Sequence, residues 1–582
     1  MTSSVHTSAD IPQDPARLTA RYEAACLLRQ QGQYPQAIHQ LRSVLRSAPQ
    51  HTGALLELGG VLMLQGRVDL ARQCYVRLLR LQPRHPLALY NLGQALEELG
   101  RAEAALQAYA AALAINPHTI ELLYPLEYLR LSLCDWQDYD ARMTRLQGGV
   151  SAHLGQPEAR PLAPLRLLSF PMPLALHRQL AQQWSDAISQ QAIGHPIAPV
   201  QSKPAPLISR RPIRVGYLSA DFRDHPMGGL AHAVFAHHRR PQFEVFAYSL
   251  APLTVSDAIT RAIASGVDHF CCVASDSPQA IAERIRADGI DVLIDLMGHT
   301  HLSRPAVLAL RAAPVQLLYL GYPGPMGADF IDGVIADVHL IPPHLESGYR
   351  EPVYRLPCAF VASPPLAPAP SADAACLASP ALSRAALGLP AQGVVYASFN
   401  RAHKLDPHTF SVWLQILSQV PGSVLWLVQA SPLVQQRLRS YALARGVDAA
   451  RLVFTQPVAS ADFAKLCALA DLMLDTAHYG SGATGVAALR AGLALLTCPG
   501  QTFASRMGAS LCAACGLEAL ICESPSAYLA KAVALGRNPK MLAHYRTVLL
   551  KGGDKWPLFD TAAWVQQLEE LLGRLVNKAQ VE

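Results

Sequence analysis

The sequence predicts an α/β protein with an all-α N-terminal region, in which a superhelix of short helices precedes two facing domains built on parallel sheets. Two observations predict this fold class. A fixed period of 34 residues runs through the first 118 positions, and beyond residue 212 short apolar runs alternate with segments of helix length. The length of 582 residues agrees with it, because about 150 residues per domain allows several compact units.

The 34-residue period is marked by glycines, alanines and prolines in register. These are Gly32, Gly66 and Gly100, then Ala37, Ala71 and Ala105, then Pro49, Pro83 and Pro117. The pattern is similar to the tetratricopeptide repeat, in which a turn joins two helices and a proline closes the unit. We therefore expect three repeats over residues 16–118, after a disordered N-terminus at 1–15. Their concave groove either binds an extended polypeptide or is a packing scaffold.

Within each repeat, a small residue should face a bulky one where the two helices cross. The small or apolar positions are Ala25, Gly59 and Leu92 with Gly93, and the bulky ones are Leu41, Tyr75 and Tyr109. The repeat register is lost after residue 118, and residues 119–210 are predicted to form a helical connector.

Composition excludes several classes of function. Lys plus Arg number 49 against 43 Asp plus Glu, and no basic cluster stands out, so we expect no nucleic-acid partner. The apolar fraction is 51%, but no apolar run reaches the roughly 20 residues of a membrane span. No secretory signal opens the chain, so a cytoplasmic location is expected. The twelve cysteines lack a regular framework and are predicted to be reduced, buried thiols, as at Cys271, Cys272, Cys467 and Cys498.

Two short motifs invite a metal interpretation, and neither supports one. Cys512 and Cys515 have the spacing of half a zinc site, but no second pair follows at a suitable distance. Asp138 and Asp140 form the D-x-D of the chain within a charged helical pattern, which favours a solvated helix face. We expect no metal and no other cofactor.

The strand candidates fall into two groups of five. The first group is 213–219, 244–250, 291–297, 315–321 and 333–337; the second is 393–399, 423–429, 451–454, 471–476 and 494–499. They predict one Rossmann-like domain over 211–360 and another over 387–545, with a Pro- and Ala-rich linker at 361–386 and terminal helices at 546–582.

Ligands of open parallel sheets bind beyond the carboxyl ends of the strands. In the first domain those positions carry His225, Thr300 and the turn Gly321–Tyr322–Pro323. In the second domain they carry Lys404 and a loop that runs from residue 476 to 485. Two sets of loops are therefore predicted to converge on one cleft.

The loop at 476–485 has the features of a phosphate site. Glycines at 480, 482 and 485 permit close backbone approach, Thr484 offers a hydroxyl, and a helix follows. No Walker pattern is present, and no G-x-G-x-x-G follows the first strand of either domain, which disfavours nucleotide hydrolysis and NAD chemistry. A nucleotide-sugar transferase remains, in which Lys404 offsets the charge of the departing diphosphate.

Seven segments carry a specific resemblance. They read RVGYLSADFRDHP, DLMGHT, RAAPVQLLYLGYPGPMGADFIDGVIAD, FNRAHKLDP, SVLWLV, ADLMLDT and PGQTFASRMGASL. They resemble the O-GlcNAc transferase and SPINDLY family, glycosyltransferase family 41, over nearly everything after residue 210. The resemblance implies a GT-B fold and inverting, metal-independent transfer of GlcNAc from UDP-GlcNAc to Ser or Thr of a polypeptide. Relatives use GDP-fucose, or UDP-glucose with an Asn acceptor.

The resemblance also implies roles for individual residues. His225 lies where sugar and acceptor meet, as a base or as a positioning group, and Lys404 lies at the β-phosphate. The other donor-binding positions are Asn400, Arg401, Val458, Phe463, Ala483, Thr484 and Gly485. The sugar and acceptor side would be formed by Thr300, Gly321, Tyr322 and Pro323. For Phe463, stacking on the base and a place in the core are equally open.

The donor loop departs from the family pattern. A histidine and a ribose-binding acid are replaced by Gly482 and Ala487. Loss of a charge-assisted hydrogen bond can cost about 1.5–3 kcal/mol of donor binding. Two alternatives therefore stay open, a scaffold of this fold with weak or no transfer and a relative with a different donor. The sequence leaves the oligomeric state undetermined.

Overall fold

The computed structural model describes residues 15–581 except 157–158, 194–210, 253–256, 365–381, 429, 457 and 459. The chain divides into two compact units, residues 1–130 and residues 131–582. Most of the predicted N-terminal disorder at 1–15 and of the predicted linker at 361–386 lies outside the described residues.

The first unit consists of paired antiparallel helices. Its elements are α1 (Pro15–Gln30), α2 (Tyr34–Ser47), α3 (Thr52–Leu64), α4 (Val68–Leu81), α5 (Pro86–Glu98) and α6 (Ala102–Ile115), followed by α7 (Ile120–Ser132), which crosses into the second unit. Gly32, Gly66 and Gly100 end the first helix of each pair with φ near +70°, a conformation that favours glycine. The predicted helical repeats are confirmed.

The small and bulky residues of the second and third repeats meet as expected. A Cβ atom on Gly59 would lie 2.4 Å from the Tyr75 ring, and one on Gly93 would lie 2.6 Å from the Tyr109 ring. Both tyrosines are buried. The two glycines therefore let the paired helices approach closely enough to bury an aromatic side chain between them.

Three helices begin the second unit. They are α8 (Tyr139–Leu154), α9 (Pro164–Leu167) and α10 (Leu174–Ile193). Asp138 and Asp140 flank the buried Tyr139 at the start of α8, and both carboxylates are exposed, which confirms the solvated interpretation of the D-x-D motif.

The first sheet has seven parallel strands in the order β3-β2-β1-β4-β5-β6-β7. The strands are β1 (Ile213–Ser219), β2 (Phe243–Ser249), β3 (His269–Cys272), β4 (Val292–Asp295), β5 (Val315–Leu318), β6 (Gly333–Ala336) and β7 (Val353–Arg355). The accompanying helices are α11 (Pro226–His237), α12 (Ala258–Gly266), α13 (Pro278–Ala287) and α14 (Pro305–Ala309). The buried apolar residues of β1, β4 and β5 form the centre of this domain.

The second sheet has five parallel strands in the order β10-β9-β8-β11-β12. The strands are β8 (Val395–Ser398), β9 (Val424–Val428), β10 (Leu452–Thr455), β11 (Leu472–Leu474) and β12 (Leu495–Leu496). The helices are α15 (Pro407–Gln419), α16 (Pro432–Leu443), α17 (Ser460–Cys467), α18 (Ala483–Arg490), α19 (Phe503–Ala513), α20 (Pro525–Gly536), α21 (Pro539–Gly552) and α22 (Thr561–Val581).

The last helix, α22, returns to the first sheet domain. The Trp564 indole donates to the Ala359 carbonyl at 2.9 Å, and the buried Glu569 carboxylate accepts from the Arg239 amide at 2.7 Å. The C-terminal helix therefore packs on the first sheet domain, although it follows the second domain in the chain.

All ten predicted strands are present in the two sheets, but two further strands were not predicted and several predicted ends were wrong. Strands β3 and β7 were missed because each is a short edge strand with a half-exposed pattern. Most predicted strands extended too far at their carboxyl ends, because residues such as Asp475 and Thr476 belong to the loops that follow.

The predicted burial of thiols is only partly correct. Cys467 is buried, as expected, but Cys271 and Cys498 are half-buried and Cys272 is exposed. Cys271 and Cys272 lie on β3, which is an edge strand of the first sheet in the described part of the chain. The start of the predicted linker also differs, because residues 361–363 are buried.

Within the described part of the chain, no helix is both long and apolar enough to cross a membrane. Over the same residues, no group of three or more His, Cys, Asp or Glu side chains could hold a metal ion.

Candidate functional site

A cavity of about 320 Å³ lies between the carboxyl ends of the two sheets. Its first wall comes from the first sheet domain and consists of Pro226, Met227, Leu230, Leu320, Gly321, Pro323, Phe360 and Val361. The opposite wall consists of Phe399, Asn400, Arg401, Lys404, Val428, Phe463, Tyr479, Gly482, Ala483, Thr484, Val486 and Met507. Both predicted sets of loops thus reach one cavity. It is called the cleft cavity below.

Most of the sequence-predicted site residues line the cleft cavity. Those on its walls are Asn400, Arg401, Lys404, Phe463, Ala483, Thr484, Gly321 and Pro323. Five others are absent from its walls, namely His225, Thr300, Tyr322, Val458 and Gly485. His225 directly precedes two wall residues, Pro226 and Met227, so it lies at the edge of the cleft cavity.

Lys404 lies in a short 3₁₀ turn that follows β8. Its ammonium donates to the Gly480 carbonyl at 3.0 Å. Burial lowers the pKa of Lys404 to about 8, against the attraction of Asp475 and with the help of repulsion from Arg401. An ammonium held this way is largely removed from water and has further N–H donors to offer to an anion.

Tyr479 is a cavity residue that the sequence reasoning did not select. The Lys404 Nζ atom lies 3.9 Å from the centroid of its ring, and the ring also meets His403 edge-on at 6.3 Å. Burial, with repulsion from Lys404 and Arg401, lowers the pKa of His403 to about 3, so this imidazole is neutral. The position of Tyr479 directly before Gly480 was the one available signal.

A buried carboxylate holds the loop that follows β11. Asp475 accepts from the Ser481 amide and hydroxyl, both at 2.7 Å, and from the Thr497 hydroxyl at 2.8 Å. A Cβ atom on Gly508 would lie only 2.1 Å from this carboxylate. The loop is thus fixed from beneath by Asp475, and α19 can pass close to it only because residue 508 is glycine.

Asn400 links the two strands' loops across the cavity floor. Its Nδ2 atom donates to the Thr476 hydroxyl at 3.0 Å and to the Ser481 hydroxyl at 2.9 Å, and its Oδ1 accepts from Thr484 at 3.3 Å. Asn400 therefore positions the loop, which is a role besides the predicted contact with the donor.

Helix α18 begins at the cavity with Ala483, and its N-cap Gly482 provides no side-chain cap. The first amides of the helix are therefore free to bind an anion. Gly485 faces the other way, because a Cβ atom there would lie 2.8 Å from Leu511. Its role is to let α18 pack against α19.

His225 is the N-cap of α11, and its Nδ1 atom has two neighbours. The Met227 amide lies 3.3 Å away, and the Asp221 carboxylate also lies 3.3 Å away. Burial, reinforced by Arg223 and Arg401 against the pull of Asp221, lowers the pKa of His225. In the tautomer with Nε2 protonated, Nδ1 accepts from the Met227 amide. In the other tautomer, Nδ1–H donates to Asp221 and Nε2 is left as a proton acceptor.

The predicted sugar side is only partly exposed to the cavity. Tyr322 is buried, and Thr300 donates to the Met297 carbonyl at 2.8 Å. His299 is also buried, its Nε2 donates to the Met326 carbonyl at 3.0 Å, and burial lowers its pKa to about 4. These residues support the turn that presents Gly321 and Pro323.

At the far end of the cavity, Phe463 packs edge-on against Phe399, with ring centroids 5.4 Å apart. Val458 is half-buried. Arg401 and Lys404 are the charged residues among the described walls, and no carboxylate lines them. The cavity therefore suits an anionic ligand.

Comparison with known proteins agrees with this arrangement. The model of glycosyl transferase family 41 matches residues 133–363 and 371–568, and a tetratricopeptide repeat model matches residues 22–75 and 65–118. The chain belongs to glycosyl transferase family 41. The predicted family and the predicted GT-B architecture with N-terminal repeats are confirmed.

Two curated relatives of this family 41 chain are named as peptide N-acetylglucosaminyltransferases. The probable enzyme SEC of Arabidopsis thaliana is 31% identical over 452 residues, which cover 76% of this chain and 46% of the relative. The enzyme of Caenorhabditis elegans is 25% identical over 554 residues, with 76% and 48% covered. The chain spans slightly under half the length of these relatives.

A solved structure of similar length is a mutant O-GlcNAc transferase from Thermobaculum terrenum. It matches this family 41 chain with a TM-score of 0.67 and 26% identity, covering 98% of this chain and 99% of the other. The order of repeats, connector and two sheet domains is therefore shared along the whole length.

Proposed function

We propose that this protein is an inverting glycosyltransferase that moves GlcNAc from UDP-GlcNAc to a Ser or Thr hydroxyl of a polypeptide. The observation that carries the proposal is the placing of Lys404 beside the uncapped start of α18, on the wall of the cleft cavity. A cation and free backbone amides at one point are the means of binding a diphosphate. The names of the relatives supply the sugar and the acceptor.

The reaction needs one bond to form as another breaks. The acceptor oxygen attacks the anomeric carbon from the face opposite the diphosphate, and the bond from that carbon to the β-phosphate oxygen breaks with its electron pair. Lys404, Thr484 and the amides of α18 offset the negative charge that develops on the leaving group. The proton of the hydroxyl passes to Nε2 of His225, whose lowered pKa keeps it neutral at pH 7.

No metal is required in this mechanism. The two cations on the cavity walls, Arg401 and Lys404, take the place that a divalent ion holds in other transferases. Phe463 offers its ring to the base of the nucleotide, and the backbone of Val458 is the proposed partner of the base edge. We assign the polypeptide acceptor to the repeats, in line with the use of such grooves elsewhere.

A second candidate function rests on the absent acid. Because no carboxylate lines the described cavity walls and residue 487 is alanine, the ribose hydroxyls lack the charged partner that the family pattern provides. A scaffold with no efficient transfer, or an enzyme with another nucleotide sugar, is the alternative that this observation favours.

A nucleotide-sugar panel separates these functions. Calorimetry would measure binding of UDP, GDP, UDP-GlcNAc, UDP-glucose and GDP-fucose to the full chain, and intact-protein mass spectrometry would follow transfer to co-expressed host proteins. We expect UDP-GlcNAc to bind and to add one N-acetylhexosamine mass. If the folded protein binds no nucleotide, the scaffold function is correct. Addition of a hexose or deoxyhexose mass would show that the donor is UDP-glucose or GDP-fucose instead of UDP-GlcNAc.

A further inference from the structure

A second cavity, of about 410 Å³, lies on the other side of the loop that holds Lys404. Its walls include the carboxylates of Asp406, Asp475 and Glu523 and the apolar side chains of Trp413, Pro499 and Tyr528. We call it the rear cavity. None of the roles assigned above requires it.

The rear cavity and the cleft cavity share one wall. Tyr479 faces the cleft cavity, and the neighbouring residues 475–478 line the rear cavity. On the loop after β8, Lys404 lines the cleft cavity and Asp406, two residues later, lines the rear cavity. Both cavities therefore lie beyond the carboxyl ends of β8 and β11 in the same sheet, where ligands of this fold bind.

The chemistry of the rear cavity is amphipathic and acidic. Trp413, Pro499 and Tyr528 provide apolar surface, while Asp406, Asp475 and Glu523 provide carboxylates. The Asp475 carboxylate already accepts from Ser481 and Thr497. No Lys or Arg is among the described residues that line it. A ligand with an aliphatic stem and a positive end complements such a surface, because the stem packs on apolar walls while the charge stays near the carboxylates.

Asp406 and Glu523 differ in how many hydrogen bonds their carboxylate oxygens already accept. Both oxygens of Asp406 already cap α15, since Oδ1 accepts from the amides of His408 and Thr409 and Oδ2 accepts from the Thr409 hydroxyl. The His478 Nε2 atom lies 3.9 Å from Oδ2. Glu523 is exposed at the rim, so it is the carboxylate that can turn towards an incoming charge.

We propose that the rear cavity binds a lysine or arginine side chain of the polypeptide acceptor, a few residues from the glycosylated Ser or Thr. This inference rests on the proposed function for the identity of the acceptor. An extended chain advances about 3.3 Å per residue, so a polypeptide whose hydroxyl enters the cleft cavity carries neighbouring side chains past the shared wall. The rear cavity thereby selects acceptor sites by charge.

The test uses the full chain and synthetic peptides with one Thr in a Gly/Ala background, each carrying Lys, Met or Glu at one position from −4 to +4. Binding is measured by calorimetry in the presence of UDP, and transfer from UDP-GlcNAc by mass spectrometry. At one position we expect Lys to exceed Met about fivefold in affinity, the order expected of a half-exposed ion pair. Equal affinity for Lys and Met at every position would overturn the proposal.

Charge exchange links the preference to the rear cavity. Glu523→Lys should reverse it, so that the Glu peptide exceeds the Lys peptide at the same position. Glu518→Gln, which alters another exposed carboxylate of this domain, should keep the wild-type order. A preference that survives Glu523→Lys would place the basic residue elsewhere and refute the assignment.

Two further outcomes are distinguishable. If Lys peptides bind preferentially but no sugar is transferred to any peptide, the proposed transferase function fails while the rear cavity keeps its ligand class. If N-acetyl-lysine amide alone binds as tightly as the Lys peptide, the rear cavity is a site for small cations and the acceptor assignment is wrong.

Discussion

The ammonium of Lys404 lies 3.9 Å from the centroid of the Tyr479 ring, and the next residue, Gly480, accepts its hydrogen bond at 3.0 Å. One loop thus holds the cation by its backbone and by an aromatic face. A cation over a ring gains about 0.5–2 kcal/mol, more when water is excluded. This attraction favours the charged form and opposes burial, which lowers the pKa of Lys404 to about 8.

Replacement of Tyr479 should therefore change the pH dependence of transfer. In Tyr479→Leu the ring's stabilisation of the ammonium is lost, the pKa of Lys404 falls further, and the alkaline limb of kcat/KM moves down by about 0.5–1 pH unit. Tyr479→Phe keeps the ring and should keep the limb. An unmoved limb in Tyr479→Leu, with the enzyme folded, would show that the ring only packs.

The pKa of Lys404 also predicts how UDP binding depends on pH. The group is charged below its pKa of about 8 and neutral above it, so affinity for UDP should be highest below pH 8 and fall as the pH rises. Bound diphosphate stabilises the ammonium, so binding between pH 8 and 9 should take up a proton. Calorimetry in two buffers of different ionisation enthalpy measures this uptake.

The matched variant for this pH effect is Lys404→Arg, because a guanidinium stays charged throughout this range. It should bind UDP without proton uptake and with an affinity that does not change from pH 7 to 9. Uptake of the same size in Lys404→Arg would assign the titration to another group.

Removal of the charge should affect rate more than binding. In Lys404→Ala we expect kcat to fall about 10²–10³-fold, as for loss of one preorganised stabilising group, and UDP affinity to fall by much less. Single-turnover transfer and calorimetry measure the two quantities. Lys465→Ala removes an exposed lysine paired with Asp462 and should leave both unchanged. Wild-type transfer by Lys404→Ala would remove this residue from the mechanism.

Regular patterns made the fold predictable from the sequence. The 34-residue period predicted the helix crossings at Gly59 and Gly93. The buried strands of both sheets were recognisable in the sequence as short apolar runs. Edge strands such as β3 and β7 gave no such signal, since residues like His269 and Cys272 are exposed on one side.

The site was predictable where a polar or charged residue lies in the loop directly after a strand. Lys404 and Thr484 were found this way and line the cleft cavity. Side-chain direction was not predictable, so Gly485 and Tyr322 were selected although they face the packed interior. Tyr479 was missed because an aromatic residue in a glycine-rich loop has no period that would show which face it takes.

Two adjacent glycines of α3 should respond in opposite ways to alanine. Gly59→Ala places a Cβ atom 2.4 Å from the Tyr75 ring, whereas a Cβ atom on Gly60 meets nothing within 4 Å. We expect Gly59→Ala to lower the free energy of unfolding of the repeats by about 1–3 kcal/mol and Gly60→Ala to raise it by about 0.5–1 kcal/mol. Urea denaturation followed by circular dichroism measures both. Equal effects would contradict the close helix crossing.

The contact between Asp221 and His225 predicts the behaviour of the base. Asp221 lies 3.3 Å from Nδ1 and raises the pKa of His225 against the effect of burial. Asp221→Asn should therefore lower that pKa and move the acidic limb of kcat/KM to lower pH, because His225 must be neutral to accept a proton. The tautomer with Nδ1 protonated also loses its charged partner, so the plateau rate should fall about tenfold or more.

Two measurements make the Asp221→Asn result specific. Its affinity for UDP should equal that of the wild type, since Asp221 does not line the cleft cavity, and Asp276→Asn, at an exposed residue of the same domain, should leave the pH profile and the plateau unchanged. If the acidic limb and the plateau of Asp221→Asn both match the wild type, then His225 acts only as the N-cap of α11 through its bond from Met227, and the proton of the acceptor hydroxyl leaves by another route.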